Sequence, residues 1–237
     1  MTAANSSYLR EFIIMRKLIA ISVLLMSATA AQAGVIVGGT RVVYQSDKKE
    51  ASVPVTNNDD INYLIQSWVD TDATGAAKAP FMVTPPLFRL DAHQDNTLRV
   101  VRTGGNLPED RESLYWLNIK SIPSAAKKEG VNRLQIAIKT RIKLMYRPAS
   151  INGKPEDVAN MLKWHTEGNT LVVENPTSFY MNFNNISING NNLNDINFAV
   201  PKGESRFQLA KGMKHGTLSW TIINDFGAIS KTWSQNI

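Results

Sequence analysis

Apolar and polar positions alternate with a period of two where this chain's strand signal is strongest. The longest run is Leu134–Tyr146. Leu134, Ile136, Ile138 and Ile142 fall on one face, with Thr140 between the last two, and Gln135, Lys139, Arg141 and Lys143 fall on the other. Alternation of this length puts successive side chains on opposite faces and predicts one long β-strand rather than a helix. Pattern alone fits a core strand of a sandwich. The three cations on the polar face suit an edge strand guarded by charge against indiscriminate pairing.

Shorter segments repeat the signal. Ser52–Val55, Tyr63–Val69, Thr97–Val101 and Leu114–Ile119 are rich in β-branched and aromatic residues. They are bounded by turn formers at Asn57–Asp60, Thr84–Pro86, Gly104–Asn106 and Ser121–Pro123. Ala125–Gly130 reads as a loop. Arg147-Pro148 ends the long strand, and Asn152-Gly153-Lys154-Pro155 reads as a linker. A second β region follows, with candidate strands at Asn169–Glu174, Phe179–Ile188, Ile196–Val200, Ser205–Leu209, Thr217–Ile223 and Ile229–Trp233. Asn189-Gly190 is a hairpin-turn signal. Many short strands without long helical periods predict an all-β chain of two sandwich domains, 34–150 and 151–237, each of ordinary length for that architecture.

The one long apolar run is Leu18–Ala31. It follows Arg16-Lys17 and precedes Ala31-Gln32-Ala33, the layout of a secretory signal with an Ala-x-Ala cleavage site. Residues 1–33 are therefore expected to be removed, and Met15 is a second candidate start. The chain has 237 residues and a net charge of +6. Loss of Arg10, Arg16, Lys17 and Glu11 with the leader leaves +4. With no second long apolar run, the mature chain is not expected to insert in a membrane. Its dispersed cations and expected export argue against a nucleic-acid partner. No cysteine is present, which excludes disulfides, thiolate metal sites and a Cys nucleophile.

Catalytic patterns are missing as well. The sequence holds no nucleophile elbow, no phosphate-binding glycine loop and no H-E-x-x-H zinc motif. His93, His165 and His215 are far apart with no ligand spacing, so no metal or other cofactor is expected. Glu109-Asp110 and Asp59-Asp60 sit in turn-like stretches, where solvated carboxylates are commoner than acid–base pairs. The residues alone describe an exported two-domain β protein that binds something and is not an enzyme.

Three segments add a resemblance. Gly39–Tyr44, Leu107–Asn118 and Leu134–Pro148, in this order and spacing, resemble the periplasmic pilus chaperones of the chaperone–usher pathway, the PapD-like family. Thr84-Pro85-Pro86 and Ile223–Gly227 also fit. The resemblance implies two immunoglobulin-like domains set at an angle around a cleft, and a protein that completes the strand-deficient sandwich of a pilus subunit by donating a strand. It implies that Arg41 and Lys143 anchor the subunit's terminal carboxylate. Leu134, Ile136, Ile138 and Ile142 would form the donated row. Glu112, Arg147 and Asp225 would form an interdomain charge cluster. Asn62 and Ser124 fall on the family's usher-facing surface, where some relatives carry prolines. The short loop from Ile122 to Arg133 resembles the subclass that builds rod-like pili. The implied partners are pilus subunits and an outer-membrane usher. A second copy of the chain could engage the same strand when no subunit is bound.

Two other classes compete. A pilus subunit or adhesin shares the fold but typically carries a disulfide and one incomplete domain, whereas this chain has no cysteine and two complete strand sets. A secreted glycosidase would need a carboxylate pair in a cleft, and no spacing here supports one.

Overall fold

The computed structural model describes residues 15–17, 34–72, 79–124, 134–210 and 212–237. The apolar run 18–31, the Ala31-Gln32-Ala33 site and the expected loop at 125–130 lie outside these residues. Gly34–Ile237 is one compact unit, built almost wholly of strands around two hydrophobic cores.

The strands around the first core are β1 (Val35–Val37), β2 (Arg41–Gln45), β3 (Ala51–Asn57), β4 (Tyr63–Asp70), β5 (Phe81–Thr84), β6 (Leu87–Leu90), β7 (Asp95–Arg102), β8 (Ser113–Pro123) and β9 (Ile138–Arg147). They form two sheets, β1-β3-β7-β5 and β2-β9-β8-β4-β6. The alternation chooses the inner faces. Val53 and Val55 of β3, Ile65 of β4, Leu98 and Val100 of β7, Leu117 and Ile119 of β8 and Leu144 of β9 are all buried between the sheets. Each such side chain contributes about 1.5–3 kcal/mol on leaving water.

The N-terminal segment belongs to both sheets. β1 pairs antiparallel with β3, and β2 pairs parallel with β9, Arg41 opposite Lys143. The crossing falls at Gly38-Gly39. A Cβ on Gly38 would sit 2.4 Å from the Pro54 ring, and Gly39 has φ +111°, a region open mainly to glycine. Two glycines thus let the chain leave β9 immediately before Arg41.

The strand β9 differs from its expected extent. It begins at Ile138, so Leu134–Ala137 lie outside the sheet. Its neighbour β8 ends at Pro123, with Ser121–Ile138 the last pair. Nor is β9 an edge throughout. β8 covers one side from 138 to 146, while β2 covers the other only from Lys143 to Arg147. Among the described residues its open edge is the stretch 138–142.

Around the second core run a short helix α1 (Pro155–Val158), a 3-10 turn (Ala159–Met161) and β10 (Lys163–Glu167), β11 (Thr170–Asn175), β12 (Met181–Ile188), β13 (Asn191–Asn192), β14 (Phe198–Ala199), β15 (Gly203–Gln208), β16 (Thr217–Ile222) and β17 (Trp233–Asn236). The sheets are β10-β11-β15 and β13-β12-β16-β17, with β14 also on β12. Asn189-Gly190 closes the β12–β13 hairpin with φ +51° and +80°, as a two-residue turn of the primed type requires. The expected linker ends in helix, because Pro155 pre-sets the first helical φ and lacks only an N–H that would go unpaired there. The last strand starts at Trp233 rather than Ile229, which makes only an isolated bridge to Ile223.

Candidate functional site

Where the first sandwich meets the second, the odd-numbered side chains of β9 turn away from their own core. Arg147 is the most enclosed of the charged ones. Its Nε donates to Glu112 Oε1 at 2.7 Å, and its two terminal nitrogens donate to both oxygens of Asp225 at 2.7 and 2.8 Å. The guanidinium also lies over the Phe179 ring, 5.1 Å from its centroid. Glu112 is fully buried. Its other oxygen accepts the Tyr180 amide at 2.7 Å, and its own amide donates to the Ser178 carbonyl at 2.9 Å. Burial is the largest influence on Glu112 and lifts its carboxyl above the usual range against the pull of Arg147 and the Tyr180 amide. Burial works against the Arg147 charge, but the Asp225 hydrogen bonds and the Glu112 charge outweigh it and hold the guanidinium protonated. The three residues that the sequence singled out as a charge cluster are thus in contact. They join β9 and the residue just before β8 in one sandwich to Tyr180 and Asp225 of the other.

Arg41 and Lys143 are brought side by side by the parallel register of β2 and β9. Arg41 Nη1 donates to the Ile223 carbonyl at 3.0 Å, while its buried Nε has no hydrogen-bond partner. Lys143 Nζ donates to Asn182 Oδ1 at 2.6 Å and lies 4.9 Å from the centroid of the Phe198 ring. Among the described residues neither cation makes an ion pair. Burial pulls the Arg41 guanidinium below its ordinary value; the Asp225 carboxylate opposes this only in part and is already bonded twice to Arg147. Burial pulls Lys143 down to about 8, with help from the Arg41 charge. Two cations in adjacent register, one holding a buried unpaired donor, make a site for an anion. A carboxylate there would accept charge-assisted hydrogen bonds from both.

The expected donated row divides in two. Leu134, Ile136 and Ile138 are exposed by 87, 64 and 51%. Ile142 is corrected: it is 7% exposed and packs in the protein's own core. It shares the face of the other three, but β9 is covered by the opposite sheet at that point and uncovered further upstream. Along the polar face, Arg141 stacks on Trp116, 4.8 Å from the ring centroid, and bonds the Asp72 carbonyl.

Asn62 and Ser124 also come together. The Ser124 amide donates to the Asn62 carbonyl at 2.8 Å, and Leu64, two residues on, is an exposed apolar side chain. The histidines stay apart, with His93 on Asp60 and His165 on Glu167. Among the described residues no cluster of His, Asp and Glu could hold a metal. Sequence reasoning missed Asn182 and Phe198, which hold the Lys143 ammonium from the second sandwich. Both sit in strands with no motif to mark them.

Residues 34–152 match the family described as pili and flagellar-assembly chaperone, PapD N-terminal domain, and 157–234 match the pili assembly chaperone PapD, C-terminal domain. The chain belongs to the PapD-like pilus assembly chaperones. It is 42% identical over 217 residues to the probable fimbrial chaperone LpfB of Escherichia coli O157:H7, covering 90% of this chain and 93% of that protein. It is 41% identical over 209 residues to the chaperone protein FimC of Escherichia coli K12, covering 87 and 86%. Among solved structures it is similar to a chain of the Salmonella enterica SafA pilin–SafB chaperone complex, at TM-score 0.81 and 37% identity over 88% of this chain and 99% of that one.

The charge cluster yields an expected outcome. Arg147→Met leaves Glu112 buried without its counter-charge and should cost about 3–5 kcal/mol in urea unfolding. The double variant Arg147→Met with Glu112→Gln should recover part of that loss, because no unpaired charge remains.

Proposed function

We propose that this protein is a periplasmic chaperone that captures pilus subunits by lending them the open edge of β9 and passes them to an outer-membrane usher. The observation that carries the reading is a continuity. A bare strand edge with an exposed apolar row at its start runs directly into an anion site with no anion-bearing partner of its own. A strand added to 138–142 on the side of β2 would lie end to end with β2. For its terminal carboxylate to meet Arg41 and Lys143 it must run parallel to β9. Backbone hydrogen bonds would then supply affinity, and Leu134, Ile136 and Ile138 would fill the subunit's uncovered core. Family membership supports the same role, and the pilin–chaperone complex among similar structures is an instance of such a partnership. The Asn62–Ser124 corner, with Leu64 exposed beside it, is the proposed usher-facing surface. Export is proposed to remove residues 1–33.

The cation pair gives a test in two readouts. Arg41→Ala should abolish recovery of a chaperone–subunit complex while the protein stays folded. Lys143→Met should do the same and raise the melting temperature of the free protein, because a buried ammonium held near 8 opposes folding at neutral pH. A bound carboxylate lifts the Lys143 value, so capture takes up a proton above pH 8. Affinity should be level at pH 6–7 and fall as pH rises past 8. Normal capture by Arg41→Ala would refute the anchor.

The exposed row is tested separately. Ile136→Asp should leave the melting temperature of the free protein nearly unchanged and eliminate the complex, since it would put a carboxylate into an apolar groove at a cost of several kcal/mol. A large loss of stability in the free protein would show that the row packs within the chaperone itself.

A further inference from the structure

Gly34 is where the compact unit begins and where the family match begins. It also follows Ala31-Gln32-Ala33 directly. Its backbone nitrogen is not a free end: Gly34 is buried, and its amide donates to Asp59 Oδ2 at 2.9 Å. That oxygen also accepts the Tyr63 hydroxyl at 2.5 Å. The neighbouring Asp60 is taken up by His93 at 2.8 Å. Among the described residues Asp59 makes no ion pair, so a partly buried carboxylate faces one amide and one phenol with its charge unmatched.

We infer that Asp59 is the docking site for the α-ammonium group that cleavage after Ala33 creates at Gly34. The inference rests on the cleavage reading. Hydrolysis of the Ala33–Gly34 bond adds one water, leaves a carboxylate on the departing leader and frees an amine that takes up a proton. The amine appears at a nitrogen already bonded to Asp59, so no rearrangement is needed. A neutral amide donor becomes a cation, and a charge-assisted bond to a carboxylate is roughly twice as strong as a neutral one.

The position gives the pair a purpose. β1 has only three residues and pairs only with β3, from Val35–Asn57 to Val37–Val55. Such a short strand is easily frayed. Gly34 lies beside the start of β9, where a Cβ built on it would be 3.8 Å from Ile138 Cδ1. An ion pair at Gly34 fixes β1 on the sheet opposite β9 and keeps the first residue of the mature chain off the open edge. Tyr63, the other titratable partner of Asp59, stands at about 12 through burial and its bond to that carboxylate, so it stays neutral across the range where the amine titrates.

The test uses the exported protein. Intact mass establishes the first residue, and NMR of protein labelled at Gly34 follows the α-amine through pH. The amine should titrate at least about one pH unit above the ordinary 7.7–8.0 of a free terminus, and Asp59→Asn should return it to that range. A variant that keeps Gln32 and Ala33 ahead of Gly34 should melt several degrees below the Gly34 form at pH 7. That gap should close as pH rises through the raised amine value, because a group stabilised when protonated loses its contribution there. Should Asp59→Asn fail to fold, the wild-type titration and the extended variant decide the matter. A Gly34 start with an amine in the ordinary range overturns the ion pair alone. A different first residue overturns the cleavage reading and the ion pair together.

Discussion

Among the described residues, half of one strand has no neighbour on one of its two sides, and the rest of the first sandwich is arranged around that open edge. β9 is flanked on both sides from Lys143 onward and on one side only from Ile138 to Ile142. The cause is local and small. Gly38 and Gly39 carry the N-terminal segment from one sheet to the other, so β2 begins opposite Lys143 and nothing precedes it along β9. An unpaired edge ordinarily invites aggregation. Here the cations Lys139 and Arg141 and the early end of the strand limit that hazard, while the apolar row at Leu134, Ile136 and Ile138 stays available.

The second sandwich gives the edge its end-stop. Arg147, on the same strand, is clamped between Glu112 and Asp225. The second sandwich also positions the two unpaired cations, since the Ile223 carbonyl receives Arg41 and the Asn182 side-chain oxygen receives Lys143. One interface therefore does two things. Its ion-paired cluster bridges the two sandwiches, and its cation pair without an ion-pair partner is the proposed anchor for a ligand carboxylate. The half-buried Lys143 ammonium and the orphan Arg41 Nε cost stability in the free protein, as the proposed binding role requires of groups kept for a ligand.

Much of this was legible in the sequence, for physical reasons. Runs of β-branched and aromatic residues between turn formers located β3, β4, β7 and β8, because such side chains fit a pleated, half-buried surface. Asn189-Gly190 announced its hairpin. The site residues were legible only through motif resemblance, since a lone Arg or Lys in a strand is usually solvated. Alternation did not reveal where β9 begins. It records which face a residue takes, not whether a neighbouring strand is there to pair, so Leu134–Ala137 read as strand and Ile142 read as part of the exposed row. β5 and β6 were overlooked because they flank Pro85-Pro86, and β10 because only Trp164 of its five residues is buried. The partners of Lys143 depend on two domains meeting, which no local pattern encodes.

Backbone amide hydrogen exchange along β9 measures the vacancy itself. In the free monomeric protein, amides of 144–147 should be protected by pairing on both sides, while those of 138–142 that face the side of β2 should exchange rapidly. Binding a subunit should protect these amides and leave 144–147 little changed. Strong protection across 138–142 in the free monomer, or no gain there when a subunit binds, would contradict the account.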